Sequence, residues 1–260
     1  MLQFFRKIRQ KLLITGKTTK YVNYALGEII LVVIGILIAL QINNWNEIRK
    51  ERNKAFAFLS EFKKDIVSDT AQYNYVISEH EKNIKSEIIL LKKIKISFDD
   101  IKNIANVFGA SYYSRKINNK TFQKIQNTGN SNLLGFEDLY DQLSNYYTET
   151  SRDLLYQCEW EVKNYEKKIL MLDDFMDKNN HEYTLLGDDL KQEFQIDSFP
   201  IISKKEQKFF ILDFVNSVKG RNYIRAALRR HYYMRRHYKK YRDEAVILLN
   251  EIDKAIKSND

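Results

Sequence analysis

Apolar residues fall at helical spacing along most of the chain. From Glu47 onward, positions 48, 52, 55, 59, 62, 66, 70, 73, 77, 80, 84, 88, 91 and 94 advance by threes and fours. They carry mostly apolar side chains, so they mark a seam on one helix face. Neither Gly nor Pro interrupts the stretch between Gly35 and Phe108. The pattern therefore predicts one long helix, in which an upstream apolar run passes without a break into a stalk. A second long helix is expected from about Phe136 to Lys178, with a seam of Phe136, Leu139, Leu143, Tyr147, Leu154, Cys158, Val162, Tyr165, Ile169, Leu172 and Met176. A third runs from about Arg221 to Lys257, on Ile224, Ala227, His231, Met234, Tyr238, Tyr241, Ala245, Leu248, Ile252 and Ala255. Short helices are expected at Lys120–Asn127, Asp188–Gln195 and Ser203–Val218, and irregular chain at Asn127–Gly135. Three long amphipathic helices cannot each bury a face alone. The expected fold is all-α, an antiparallel three- to four-helix bundle with short elements at its ends.

The run at the start of the first helix, "ALGEIILVVIGILIALQINNWNE" (Ala25–Glu47), changes that picture. Its wholly apolar part, Ile29–Leu40, is short for a membrane span. Extended through Ala25–Ile42, it makes about 27 Å of helix at 1.5 Å per residue, close to the roughly 30 Å hydrocarbon layer. Glu28 and Gln41 lie within about a turn of either end, where a side chain can reach the headgroups. Tyr21 and Tyr24 flank one border and Trp45 the other, as amphipathic rings do at membrane interfaces. A cleaved signal and a soluble core helix are the alternatives. The first would need an unusually long basic leader and a small-residue cleavage site, which is not evident after Leu40.

Charge suggests an orientation. Arg6, Lys7, Arg9, Lys11, Lys17 and Lys20 precede the run with no acid before Glu28, whereas bases and acids alternate after it. The positive-inside rule places the N-terminus in the cytoplasm. The chain then divides into a basic amphipathic cytoplasmic segment (1–20), a transmembrane helix (21–45) and an extracytoplasmic helical domain (46–260). In the leader "MLQFFRKIRQKLL", Phe4, Phe5, Ile8, Leu12 and Leu13 can share one face. The segment either lies on an anionic leaflet, with Arg6, Lys7, Arg9 and Lys11 as topology and lipid contacts, or only sets topology. Gly35 and Ala39 form a small-x-x-x-small pair, a weak signal for helix association. Glu28 either reaches water or pairs with Lys20, or instead binds a basic residue of a membrane partner.

The segments "FFRKIRQKLL" and "GEIILVVIGILIALQINNWNE" closely resemble the start of an uncharacterised family of single-pass membrane proteins common in flavobacteria and other Bacteroidota. A second segment, "TFQKIQNTGNSNLLGFEDLYDQLSNYY" (Thr121–Tyr147), resembles that family's Phe-x-x-Leu-x-x-Ser-Gly element leading to Leu-x-x-Tyr-Tyr. Here Ile125 stands in place of Leu, and Thr128 in place of Ser before Gly129. The resemblance implies an inner-membrane anchor carrying a helical domain, and implies no activity.

Composition agrees with a helical chain: one Pro and eight Gly in 260 residues leave few breakers. The single cysteine, Cys158, excludes an intramolecular disulfide, and its place on a seam suggests a buried, inert thiol. Net charge is +9, but it is unevenly spread. Residues 136–197 hold sixteen acids and six bases, and residues 198–258 hold fifteen bases and six acids. Lys219–Arg242 contains ten Lys or Arg, two His and no acid. Blocks of opposite sign suit pairing between neighbouring helices. The same stretch could instead contact an anion through Arg229, Arg230, His231, Arg235 and Arg236. Nucleic acid is not expected as a partner of an extracytoplasmic domain.

His80 and His231 fall on apolar seams, where a hydrogen-bonded core histidine is commoner than a ligand. His181 and His237 have no partner at metal spacing. Asp173, Asp174 and Asp177, and Asp188 with Asp189, read as acidic helix turns. No phosphate loop, nucleophile elbow or zinc-protease motif is present, and neither catalytic, metal nor cofactor residues are assigned. The expected role is a noncatalytic membrane-tethered scaffold or accessory subunit, with membrane lipid and another membrane protein, or a second copy, as partners. The alternative is a sensor-like domain that binds a small anion and signals through a membrane partner.

Overall fold

The computed structural model describes residues 18–128, 133–178 and 207–258, without the side chains of 18–21, 24, 176 and 207–209. The leader with Arg6, Lys7, Arg9 and Lys11, the rings of Tyr21 and Tyr24, His181 and the Asp188–Gln195 helix lie outside these. Helix α1 spans Thr18–Leu91, α2 Ile101–Gly109, α3 Lys120–Asn127 and α4 Glu137–Asn145. A π-helical turn, Tyr146–Thr150, joins α4 to α5 (Ser151–Lys178); α6 is Gln207–Asn216 and α7 Val218–Lys257. No strand occurs among the described residues, and the chain is all-α as expected.

Two compact units divide the chain: Met1–Ala57 with Leu133–Gly135, and Phe58–Asn132 with Phe136–Asp260. In the first, α1 carries its apolar run with the side chains outward all the way round. Past the run, Arg49 stacks on Trp45 with its guanidinium 5.5 Å from the ring centre, and Asn43 donates to Glu47 at 3.1 Å.

The second unit is a four-layer, up-down-up-down arrangement. The downstream half of α1 rises, a connector (α2, the non-helical segment 110–119 and α3) descends, α4 to α5 rise, and α7 descends. Partners along the layers establish the directions. Tyr73 meets Tyr146 at 3.1 Å and His80 meets Glu161 at 4.0 Å, so α1 and α5 run parallel. Lys63 pairs with Asp253, Lys239 with Glu81 and His231 with Glu87, so α7 runs antiparallel to both. Non-helical backbone thus fills much of the layer where a bundle would place its fourth helix.

Helix α1 departs from the expected pattern in two ways. One stripe of its buried positions is Leu59, Phe62, Ile66, Asp69, Tyr73, Val76, His80, Asn83, Glu87 and Leu90, a strict alternation of three and four. Ala55, Asp65, Ile77, Ile84 and Ser86 are buried as well, and Ile94 is fully exposed. A seam traced through apolar residues alone slips past Asp69, Asn83 and Glu87, because these polar residues occupy heptad positions. The helix also ends at Leu91, three residues short of the last expected seam position, Ile94, although neither Gly nor Pro breaks it. Arg221 of α7 donates to the carbonyls of Leu90 (3.0 Å) and Ile94 (2.8 Å), satisfying groups left open by the helix end. Asp100 accepts from Lys93 (2.5 Å) and from the Ser97 amide (3.1 Å), which fixes the turn.

At this end of the bundle Leu90, Ile104, Val107, Leu172, Phe214, Tyr223 and Ile224 form a common core. The side-chain amide of Asn216 binds both backbone groups of Ile96, accepting at 2.8 Å and donating at 3.0 Å. The corner from α6 into α7 is capped by Ser217, whose hydroxyl donates to Phe214 O (2.7 Å) and accepts from the Gly220 amide (3.0 Å). A Cβ on Gly220 would overlap the Phe214 carbonyl. Gly220→Ala is therefore expected to lower unfolding stability by about 1–3 kcal/mol through overpacking, whereas Gly109→Ala, which meets open space, should not; denaturant unfolding of both variants in mild detergent checks this.

Candidate functional site

The core of the second unit contains many polar groups, and they fall into two sets. The first set serves the connector. Asp69 accepts from the Asn118 amide at 2.9 Å and from Tyr146 OH at 3.1 Å. Asp65 accepts from the Asn118 side chain at 2.9 Å and from the Thr121 amide at 3.0 Å. Across the bundle, Glu161 accepts from the Tyr113 amide at 3.2 Å, and Tyr238 OH donates to Tyr113 O at 2.9 Å. Cys158 lies 3.7 Å and 3.8 Å from the carbonyls of Tyr113 and Arg115. It is buried, with its thiol turned to backbone oxygens, in keeping with an inert role. Burial pushes Asp69 up to about 6, opposed by its hydrogen bonds from Asn118 and Tyr146.

The second set is a buried ionic cluster where α1, α5 and α7 meet. His80, Glu87, Glu161, Lys168, Arg230 and His231 are each no more than 2% exposed. His231 Nδ1 lies 2.7 Å from Glu87 and its Nε2 lies 2.8 Å from Arg230 Nη2. Arg230 Nε is 3.9 Å from Glu161. Lys168 Nζ sits over Tyr165 and Tyr223, 5.1 Å and 4.8 Å from the ring centres, and Arg230 also faces Tyr165. Burial dominates the proton affinities. It pushes His80 down to about 3 and His231 well below its ordinary value, with Arg230 adding to both. It raises Glu87 to about 8 and Glu161 to about 7, and lowers Lys168 to about 7. The histidines are therefore neutral near pH 7, and burial favours the uncharged forms of Glu87, Glu161 and Lys168 as well. No group of three or more His, Cys, Asp or Glu placed to hold a metal occurs among the described residues.

The five residues named as anion contacts do not share one face. Arg230 and His231 are core residues of this cluster, Arg235 is half-buried 4.0 Å from Glu81, and Arg229 and Arg236 are exposed. Pairing between the acidic and basic blocks is present: Lys219 with Asp174, Arg230 with Glu161, and Lys240 with Asp153. At the apolar run, Gly35, Ala39, Gln41 and Trp45 are exposed, and Glu28 is half-buried. Among the described residues, neither Gly27 nor Gly35 has a neighbour within 4 Å of where a Cβ would lie. Glu87, Glu161, Lys168, Asp65 and Asp69 were not among the residues expected from sequence. Heptad counting from Leu59, regardless of polarity, would have reached Glu87.

A model of a family described as "Family of unknown function (DUF6090)" matches residues 28–170, more than half of the chain. The chain belongs to DUF6090. No curated protein and no solved structure matches it. The DUF6090 match runs from Glu28 at the apolar run to Leu170 in α5. It therefore includes the connector, its two carboxylates on α1 and the Thr121–Tyr147 segment. In that segment Phe122 stacks on Tyr147 with ring centres 5.1 Å apart, and Tyr147 packs on Phe62 at 5.5 Å. Helix α7 lies beyond the matched residues.

The cluster gives a pH signature with a definite sign. Glu87 binds its proton more tightly folded than unfolded, so its contribution is complete below its ordinary value of 4.5 and is lost as pH rises through about 8. Relative to the parent, Glu87→Gln is expected to gain stability steadily from about pH 5 to about pH 8, by at most about 1.4 kcal/mol per pH unit. Urea unfolding of both proteins across that range checks this; a difference that stays constant with pH would contradict it.

Proposed function

We propose that this protein is a noncatalytic, membrane-anchored scaffold or accessory subunit that acts through the surfaces of its helical unit. It crosses the inner membrane once, with the N-terminus in the cytoplasm and the bundle in the periplasm. One observation carries the anchor: from Ile29 to Ile42 the large apolar side chains are 47% to 66% exposed, on every side of α1. Water would oppose that surface, and hydrocarbon would accept it. Among the described residues, α1 is the one helix long and apolar enough to cross a membrane. Trp45 and Arg49 follow the run, as an interfacial ring and a cation would.

The helical unit supports the noncatalytic part of the reading. Its concentrated ionisable groups are sealed in the core and directed at one another, where a substrate cannot reach them. Glu87 and Glu161 already occupy the place where a small anion would meet Arg230 and His231, so two of the five contacts of the sensor reading are engaged within the core.

The test is membrane extraction with a charge placed in the run. The parent should resist carbonate extraction and need detergent. Ile34→Arg with Leu37→Arg should release the chain from the membrane, since each charge at the middle of a span costs about 3 kcal/mol. A reporter at the C-terminus should be active only outside the cytoplasm. A parent chain soluble without detergent, or a reporter active only in the cytoplasm, would overturn the reading.

A further inference from the structure

The ten Lys and Arg of the acid-free stretch Lys219–Arg242 separate by what they touch. Arg221 caps the end of α1, and Arg230 is in the core. Arg235 and Lys239 reach Glu81, Lys219 pairs with Asp174, Lys240 with Asp153 and Arg242 with Asp243. Arg225, Arg229 and Arg236 remain. All three are exposed, and among the described residues none has a carboxylate within ion-pair distance. Arg225 makes a 3.4 Å contact with Asn222 instead. Tyr232, 52% exposed, stands between them, with the Arg235 guanidinium 5.3 Å from its ring centre. Residues 225, 229, 232 and 236 step by four, three and four. They form one straight ridge on α7, about 16 Å long at 1.5 Å per residue.

We propose that this ridge is the docking surface for an acidic helix of a partner protein. Three observations favour that occupant. The ridge is a narrow strip along the helix axis, with the small, uncharged Asn222 and Ala226 exposed beside Arg225, which matches the face of another helix better than the plane of a bilayer. Elsewhere on α7, Lys219, Arg230 and Lys240 already meet Asp174, Glu161 and Asp153 of α5, so this helix pairs with an acidic helix within its own fold. An exposed tyrosine among arginines is the composition of a protein interface, and the guanidinium fork fits a carboxylate with two parallel bonds. The proposal rests on the scaffold reading, for which it names the partner's chemistry.

The experiment uses the full chain in mild detergent and two fluorescent helical peptides of identical composition. One carries Glu at steps of four, three and four; the other has the same residues scattered. The spaced peptide should bind about three- to a hundred-fold more tightly, the range that three exposed ion pairs give. Arg229→Glu with Arg236→Glu should remove that advantage without changing the melting temperature. Lys163→Glu with Lys167→Glu, the same charge change on the exposed face of α5, should leave it intact. Equal binding of the two peptides, or equal loss in the α5 variant, would overturn the proposal. So would tighter binding of phosphatidylglycerol vesicles or polyphosphate through the same arginines. The assay does not depend on where the chain resides, so its failure is separable from failure of the membrane anchor.

Discussion

Non-helical chain can be buried among helices only if its peptide groups find partners, because an unanswered buried amide or carbonyl costs as much as a lost hydrogen bond. Segment 110–119 imposes that condition on the whole second unit. It supplies no ladder of its own and lies against α1, α5 and α7 with Ala110 and Ile117 buried, Tyr113, Arg115 and Asn118 half-buried and the residues between them exposed. Tyr113, Arg115, Asn118 and Thr121 are answered instead by Glu161, Tyr238, Cys158, Asp69 and Asp65. These side chains come from three different helices. Each must sit at the correct height for the segment to be satisfied, so the connector sets the register of the bundle.

The ionic cluster follows from the same geometry. Glu161 faces the connector with one oxygen and approaches Arg230 and His80 with the other. Once a carboxylate is buried for the sake of an amide, the neighbouring helices must supply cations or neutral donors. Arg230 and His80 approach Glu161 at 3.9 Å and 4.0 Å without hydrogen-bonding it, and His231 pairs with Glu87 at 2.7 Å. Such a cluster adds little net stability compared with an apolar core, but removing one member leaves a buried charge uncompensated, at about 3–5 kcal/mol. It therefore penalises any sliding of one helix past another. The apolar clusters at either end, around Phe214 and around Tyr147, supply the cohesion.

The all-α class, the limits of the short α3 helix and the seam of α7 were readable from residue pattern, because apolar residues there recur without interruption. The unbroken passage of the apolar run into a stalk was readable too; where α1 ends was not, because Arg221, which donates to the Leu90 carbonyl, is 131 residues away in sequence and local pattern cannot register such a contact. The core carboxylates were hidden because a search for apolar stripes reads Asp69 and Glu87 as outward positions. Their role exists only against the connector and α7. The basic stretch was recognised as a unit. Yet whether Arg230 or Arg229 faces inward depends on 3.6-residue geometry carried over many turns, and small errors of phase reverse it.

The most direct measurement is amide hydrogen exchange across residues 110–121 in the full chain. If side chains of three helices hold this segment, the amides of Tyr113, Asn118 and Thr121 exchange orders of magnitude more slowly than those of an open loop. Asp65→Ala with Asp69→Ala should then release Asn118 and Thr121 while Tyr113, held by Glu161, stays protected. Unprotected exchange at all three amides in the parent protein would contradict the account.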